Sequence, residues 1–180
     1  MDRTDRIRSL INRLARLDAA EIWKADLNPV QISALEYLAR ANRFSRSPSH
    51  VADYLGTTRG TMSQTLRTLA RKGYLTEHRS EADKRSISYA LTGSGTDLVS
   101  RKGRFAHAIA TRPPSEQMAL EVALSAVLAA QIAANGGRPF GVCKNCVHHR
   151  KTGGSAFCML LSLPLAPDEA DQICNEQAAA

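Results

Sequence analysis

Between about residues 5 and 24, apolar side chains recur at Ile7, Leu10, Leu14 and Leu17, with Ile11 alongside. That spacing predicts a helix whose apolar seam faces another helix. Asn28 before Pro29 supplies an N-cap residue and a proline for the first helical position. A second helix is expected there, with Ile32, Leu35 and Leu38 inward and its end near Asn42. Residues 44–48 read as a loop. Ser49 is expected to cap a short helix over 51–55 that stops at Gly56, since glycine tolerates the left-handed conformation of a tight inter-helix turn. Thr57 or Thr58 then caps a helix that runs to about Lys72 and ends at Gly73. One face carries Met62, Leu66 and Leu69; Arg59, Ser63, Gln64, Arg67 and Arg71 fall on the other.

After Gly73 the period changes from helical to alternating. Residues 74–79 and 87–91 predict two strands, the second alternating Ile87, Tyr89 and Leu91 with Ser88 and Ala90. The segment between them is charged and mostly basic. Thr92 is expected to cap one long helix over 93–111, which Pro113 and Pro114 break. Ser115 starts another helix that reaches Ala134, with Leu120, Leu124, Val127 and Leu128 among many alanines. Apolar and small side chains on nearly every face indicate burial and close helix–helix approach. Beyond Gly136 and Gly137 the composition shifts to Cys, His, Gly and Pro, with a short last helix expected between 168 and 177 and an otherwise loop-rich tail.

The middle of this pattern meets the demands of a helix-turn-helix. Ala52 is small where two helices must cross, Gly56 occupies the turn four positions later, and Met62 is apolar inside the second helix. Thr57, Thr58, Arg59, Thr61, Ser63 and Gln64 lie near the start of that helix, where side chains reach base edges in the major groove, while Arg67 and Arg71 are placed for phosphates. The strand pair with Arg79 on one arm and Lys84 and Arg85 at its tip has the form of a wing that enters the minor groove. Charge agrees. The net formal charge is +7, and the basic residues crowd between 40 and 85, which favours a polyanionic partner.

The ordered set resembles the MarR family of bacterial regulators over about residues 27–99. Its carriers are Val51-Ala52-Asp53-Tyr54-Leu55-Gly56, the run from Thr61 to Leu75, Asp83-Lys84-Arg85 and Leu91-Thr92-Gly93-Ser94-Gly95. The resemblance implies a mainly α fold with a small β-hairpin wing, and a homodimer whose interface helices come from both chain ends. It implies recognition of double-stranded DNA at a pseudo-palindrome with half-sites roughly 10 bp apart, with Arg85 in the minor groove and Asp83 bracing the wing. The expected regions are 1–27 for an N-terminal dimerisation helix, 28–92 for the winged helix-turn-helix, 93–137 for further dimerisation helices, and 138–180 for a metal-binding extension.

That extension departs from the family pattern. All four cysteines lie in it, as Cys143-x2-Cys146, Cys158 and Cys174. A Cys-x-x-Cys turn can offer two thiolates to one metal, and two more close a four-coordinate site. Zinc ribbons carry a second Cys-x-x-Cys and this chain has none, so an iron–sulfur cluster is expected, with zinc or metal-free thiols as alternatives. His148 and His149 are held outside the ligand set. A cluster following the presumed dimerisation helices would sense redox or iron status by shifting those helices; alternatively, a metal would only staple the tail.

Other functional classes find little support. There is no Gly-rich phosphate loop, nucleophile elbow or His-x-x-x-His pair, and the Cys-x-x-Cys follows no strand of the kind a disulfide oxidoreductase needs, so an enzyme is not expected. Asn, Gln, Arg or Lys interrupts every apolar stretch, so no membrane span is expected. The first residues lack the apolar core of a signal peptide, and a cytoplasmic location is expected. A MarR-like regulator that answers to a small molecule is the competing reading.

Overall fold

The computed structural model describes every residue except 23–26, 81–85, 101–102, 138, 153–154 and 179–180. The amphipathic N-terminal segment forms α1, Arg3–Ile22. Helix α2, Pro29–Arg40, starts on a full capping box: the Asn28 side chain accepts from the Gln31 N–H, and the Gln31 side chain accepts from the Asn28 N–H. A 3₁₀ turn, Arg43–Ser45, leads to α3, Pro48–Leu55, and α4, Arg59–Arg71. Gly56 between them adopts φ +62°, the left-handed value its position requires. Strands β1, Leu75–Arg79, and β2, Ile87–Leu91, form an antiparallel hairpin with Leu75 opposite Leu91 and Glu77 opposite Tyr89.

These elements share one core. Leu35 and Leu38 of α2, Val51 and Ala52 of α3, and Met62, Leu66 and Leu69 of α4 are fully buried, with Leu75 and Tyr89 closing it from the wing. Burying each large side chain contributes about 1.5–3 kcal/mol. Ala52, Gly56 and Met62 thus hold the helix-turn-helix positions expected of them. The architecture is a winged helix-turn-helix, mainly α, with a small β-hairpin. Thr92 caps α5, Gly93–Val99, by accepting from the Gly95 N–H. Gly95 is there for space: a Cβ would collide with the Tyr74 carbonyl.

Several local expectations are corrected. The cap of α3 is Ser47, with Pro48 at the first helical position, rather than Ser49. The helix expected over 93–111 is two: α5 ends at Val99, and α6 spans Arg104–Ala110. Gly103 is extended, and the Arg104 N–H donates to the Glu21 carboxylate of α1 at 2.7 Å, so a side chain distant in sequence starts the second helix. Helix α7, Pro114–Ala134, buries none of its residues within the single chain, so the burial and close helix–helix approach that its composition indicates are not met inside one protomer. It is also long and apolar enough, by length and composition, to cross a membrane, which corrects the expectation that no stretch would be.

The tail carries short strands among its loops. Strands β3, Gly141–Val142, and β7, Ile173–Cys174, form one antiparallel ladder; β4, His149–Thr152, β5, Ser155–Cys158, and β6, Leu163–Leu165, form a three-stranded meander. The expected last helix is instead a 3₁₀ turn, Glu169–Asp171, followed by β7. A two-residue strand does precede Cys143, but it pairs with the end of the tail and leads into a 3₁₀ turn, not into the helix of a redox βα unit.

Candidate nucleic-acid interface and cysteine cluster

Helix α4 divides cleanly. Its apolar residues face the core, while Arg59, Thr61, Gln64, Arg67 and Arg71 are exposed and Thr57 and Ser63 half-buried. Arg59, Ser63, Arg67 and Arg71 recur every four residues, so they form one slowly winding stripe along the outer side. Thr58 is the N-cap: its hydroxyl oxygen accepts from the Thr61 N–H at 3.2 Å, and its O–H donates to the Thr61 hydroxyl at 2.8 Å. Thr58 therefore fixes the start of the helix, which leaves Arg59 and Gln64 as the freer side chains for a base edge. Arg71 is steadied by donating to the Thr68 hydroxyl at 3.1 Å.

The wing carries a bracing group that sequence reasoning missed. The Glu77 carboxylate accepts from the Tyr89 hydroxyl at 2.8 Å across the ladder, and pairs with Arg79 at 3.0 Å. The Tyr89 hydrogen bond, and then the Arg79 guanidinium, hold the Glu77 carboxyl below its ordinary range. Burial and the Glu77 carboxylate push the Tyr89 hydroxyl up to about 12. Both shifts keep the proton on Tyr89 and the charge on Glu77, where it orients Arg79 and draws on Arg67 of α4. The pairing depends on the ladder register, which sets Glu77 opposite Tyr89 and which the alternation of the strands alone does not give. Asp83, Lys84 and Arg85, predicted for the wing tip, lie outside the described residues.

The four cysteines come together. Cys143, Cys158 and Cys174 are buried in one small cluster with Leu165, with Phe44 packed against it, and Cys146 is half-buried beside them. Burial, and the neighbouring Cys174, Cys158 and Cys146 in that order, push the Cys143 thiol up to about 11. It is protonated at neutral pH, and a metal binding there must displace the proton. The Cys146 N–H donates to the Cys143 carbonyl at 3.1 Å, closing the Cys-x-x-Cys turn, and the Ala178 N–H lies 3.5 Å from the Cys146 sulfur. His149 stands opposite Cys158 on the β4–β5 ladder, with its Nε2 buried and without a hydrogen-bond partner. Among the described residues, no three His, Cys, Asp or Glu side chains are already arranged about a metal position.

The sequence placed this tail after the dimerisation helices; the structure docks it on the winged helix. Phe140 stacks edge-on against Tyr37, at 6.1 Å, and Tyr54, at 5.2 Å. Arg43 pairs with the buried Glu169 at 2.8 Å and lies 4.5 Å over the Phe44 ring. The Asn42 N–H donates to the Ile173 carbonyl at 2.9 Å, and the Asn175 N–H to the Ser45 hydroxyl at 2.9 Å.

A MarR family model matches residues 25–86. Solved structures share the fold. A MarR transcriptional regulator from Methanosarcina mazei Go1 has 21% identity and a TM-score of 0.60 over 72% of this chain and 99% of its own. Streptococcus pneumoniae FabT in complex with DNA has 22% identity and a TM-score of 0.59 over 73% and 96%. The S. aureus MepR–DNA complex has 20% identity and a TM-score of 0.59 over 72% and 98%. No curated protein matches the sequence.

Proposed function

We propose that this chain is a MarR-type transcriptional regulator that binds double-stranded DNA as a homodimer and represses by occupying a pseudo-palindromic operator. The observation that carries this reading is the α4 stripe. A rigid helix offers Arg59, Ser63, Gln64, Arg67 and Arg71 outward, with a braced wing beside it. FabT and MepR were each solved with DNA, and their shared fold supports the same role here. Dimerisation is supported by α1 and α7, whose apolar residues are exposed in the single chain. A cytoplasmic location follows from that function.

We further propose that Cys143, Cys146, Cys158 and Cys174 hold an iron–sulfur cluster that reports redox or iron status. What supports this reading is the donor chemistry rather than a preformed geometry: three buried thiols with Cys146 beside them, an N–H directed at a sulfur, and the unpartnered His149 Nε2, which a thiolate or sulfide acceptor would satisfy. Binding requires side-chain rearrangement from the present arrangement. Bound there, a cluster supplies an oxidisable group, whereas zinc supplies only a cross-link. The second reading, a regulator answering to a small molecule with zinc or free thiols in the tail, is favoured by a largely apolar groove of about 800 Å³ between α3 and the end of α7, lined by Tyr54, Leu128, Ile132 and Phe140.

The test combines two measurements on anaerobically purified protein. Visible absorbance with iron and sulfide selects the cluster, and a colourless protein with one zinc per chain selects zinc. Fluorescence anisotropy with duplex DNA at low ionic strength tests the regulator. No binding in either metal-loaded or metal-free protein would refute it.

A further inference from the structure

We propose that the state of the cysteine cluster is passed to the DNA-binding surface through strand β7 and the 3₁₀ turn that precedes α3, with Asn42, Ser45 and Asn175 as the coupling residues. This rests on the reading of the tail as a metal site, and it replaces the expected route through the dimerisation helices.

Cys174 is buried in the cluster, and the residues on either side of it are bonded to the turn. The Ile173 carbonyl accepts from the Asn42 N–H at 2.9 Å, next to an isolated parallel bridge between Ala41 and Ile173. On the other side, the Asn175 N–H donates to the Ser45 hydroxyl at 2.9 Å. The Ser45 hydroxyl also stands 2.7 Å from the Asn42 amide oxygen and 3.0 Å from that of Asn175. Its one proton serves one of these oxygens at a time. Phe44, the residue between, packs its ring against the cysteine cluster. A displacement of Cys174 is therefore a displacement of the turn.

From the turn the connections run to both DNA-facing elements. The Arg46 carbonyl accepts from the Tyr89 N–H of the wing at 3.1 Å, and Ser47 caps α3. Tyr37 donates to the Ser45 carbonyl at 2.7 Å from the floor of the core. Helix α3 packs on α4, and the Thr57 N–H returns to the Ala52 carbonyl at 3.0 Å, fixing the approach to Arg59.

The joint is also able to change state. Asn42 and Ser45 are fully buried and Asn175 nearly so, yet the Asn42 Nδ2 has no hydrogen-bond partner. A buried amide left half-satisfied is costly, so an arrangement that supplies an acceptor competes with this one. Packed joints of this kind switch between discrete arrangements rather than deform continuously.

The test uses full-length protein with Ser45→Ala, which removes the shared hydroxyl while leaving every cysteine in place. Affinity for a duplex recovered by selection in vitro is measured for protein reconstituted anaerobically with iron and sulfide and for the same protein stripped by chelator. The expected result is a change of tenfold or more in wild type and within twofold in Ser45→Ala, at equal metal content per chain. A wild-type ratio retained by the variant overturns the coupling, as does a wild type that carries metal and binds DNA alike in both states. A wild type that takes up no metal removes the metal-site reading, and the coupling with it. Should Ser45→Ala fail to fold, Asn175→Ala takes its place. Amide exchange in wild type gives an independent check. Metal removal should alter protection at 41–47 and 87–91, and a change confined to α1 and α7 overturns the route.

Discussion

Substituting Leu124 and Leu128 of α7 together by glutamate should convert the protein to a monomer. The two leucines lie one turn apart, 44% and 60% exposed in the single chain, and support no core within it. Five large apolar residues of α1 and six of α7 are similarly exposed, between 39% and 66%. At about half of the 1.5–3 kcal/mol that full burial brings, each contributes about 1 kcal/mol when covered, or roughly 20 kcal/mol for two protomers. That exceeds the roughly 4–15 kcal/mol cost of association. Losing four leucines per dimer removes about 4 kcal/mol, a thousandfold in Kd, before the several kcal/mol for burying each carboxylate. Sedimentation velocity across a concentration series measures this, with far-UV circular dichroism to confirm an intact protomer. A double variant that stays dimeric at wild-type affinity, or a wild type that is monomeric at micromolar concentration, refutes the reasoning.

Two further predictions concern DNA contact. If Arg59 reads a base, Arg59→Ala should cost about 1–3 kcal/mol on a selected duplex and much less on random DNA, while Arg71→Ala should weaken both alike and flatten the salt dependence by about one charge. Anisotropy titrations over a range of salt separate the two, and equal losses on both duplexes for Arg59→Ala refute its role. Glu77→Gln should weaken DNA binding by freeing Arg79 without unfolding the wing. The Glu77 pKa is lowered in the folded protein, so its contribution to stability is present above its ordinary value of 4.5 and lost as pH falls below it. Acid titration of wild type and variant, followed by circular dichroism, should show the two stability curves converging at low pH.

The parts legible in the sequence were those set by near neighbours. Asn28-Pro29, Gly56 and the Met62–Leu66–Leu69 spacing act within one or two turns, and each sits where the pattern placed it. The α5–α6 break was invisible because its cap, Glu21, comes from the other end of the chain. The tail strands were missed for the same reason: ladders of two to four residues have too little alternation to register, and β7 is held by partners at 41–42 and 141–142. At the candidate interface the stripe of α4 was legible, but the Glu77–Tyr89 brace depended on the ladder register. The convergence of the cysteines agreed with their clustering late in the chain, while their docking on the turn did not follow from it.

The aromatic triad of Tyr37, Tyr54 and Phe140 has a practical corollary for anyone dissecting this molecule. Cutting the chain after Gly137 would strip a lid from two rings that belong to the winged helix itself, so a shortened polypeptide reports on a damaged core rather than on an intact winged helix lacking its tail. Single-residue changes at the cysteines leave that aromatic contact in place and are the cleaner probe of the appendage.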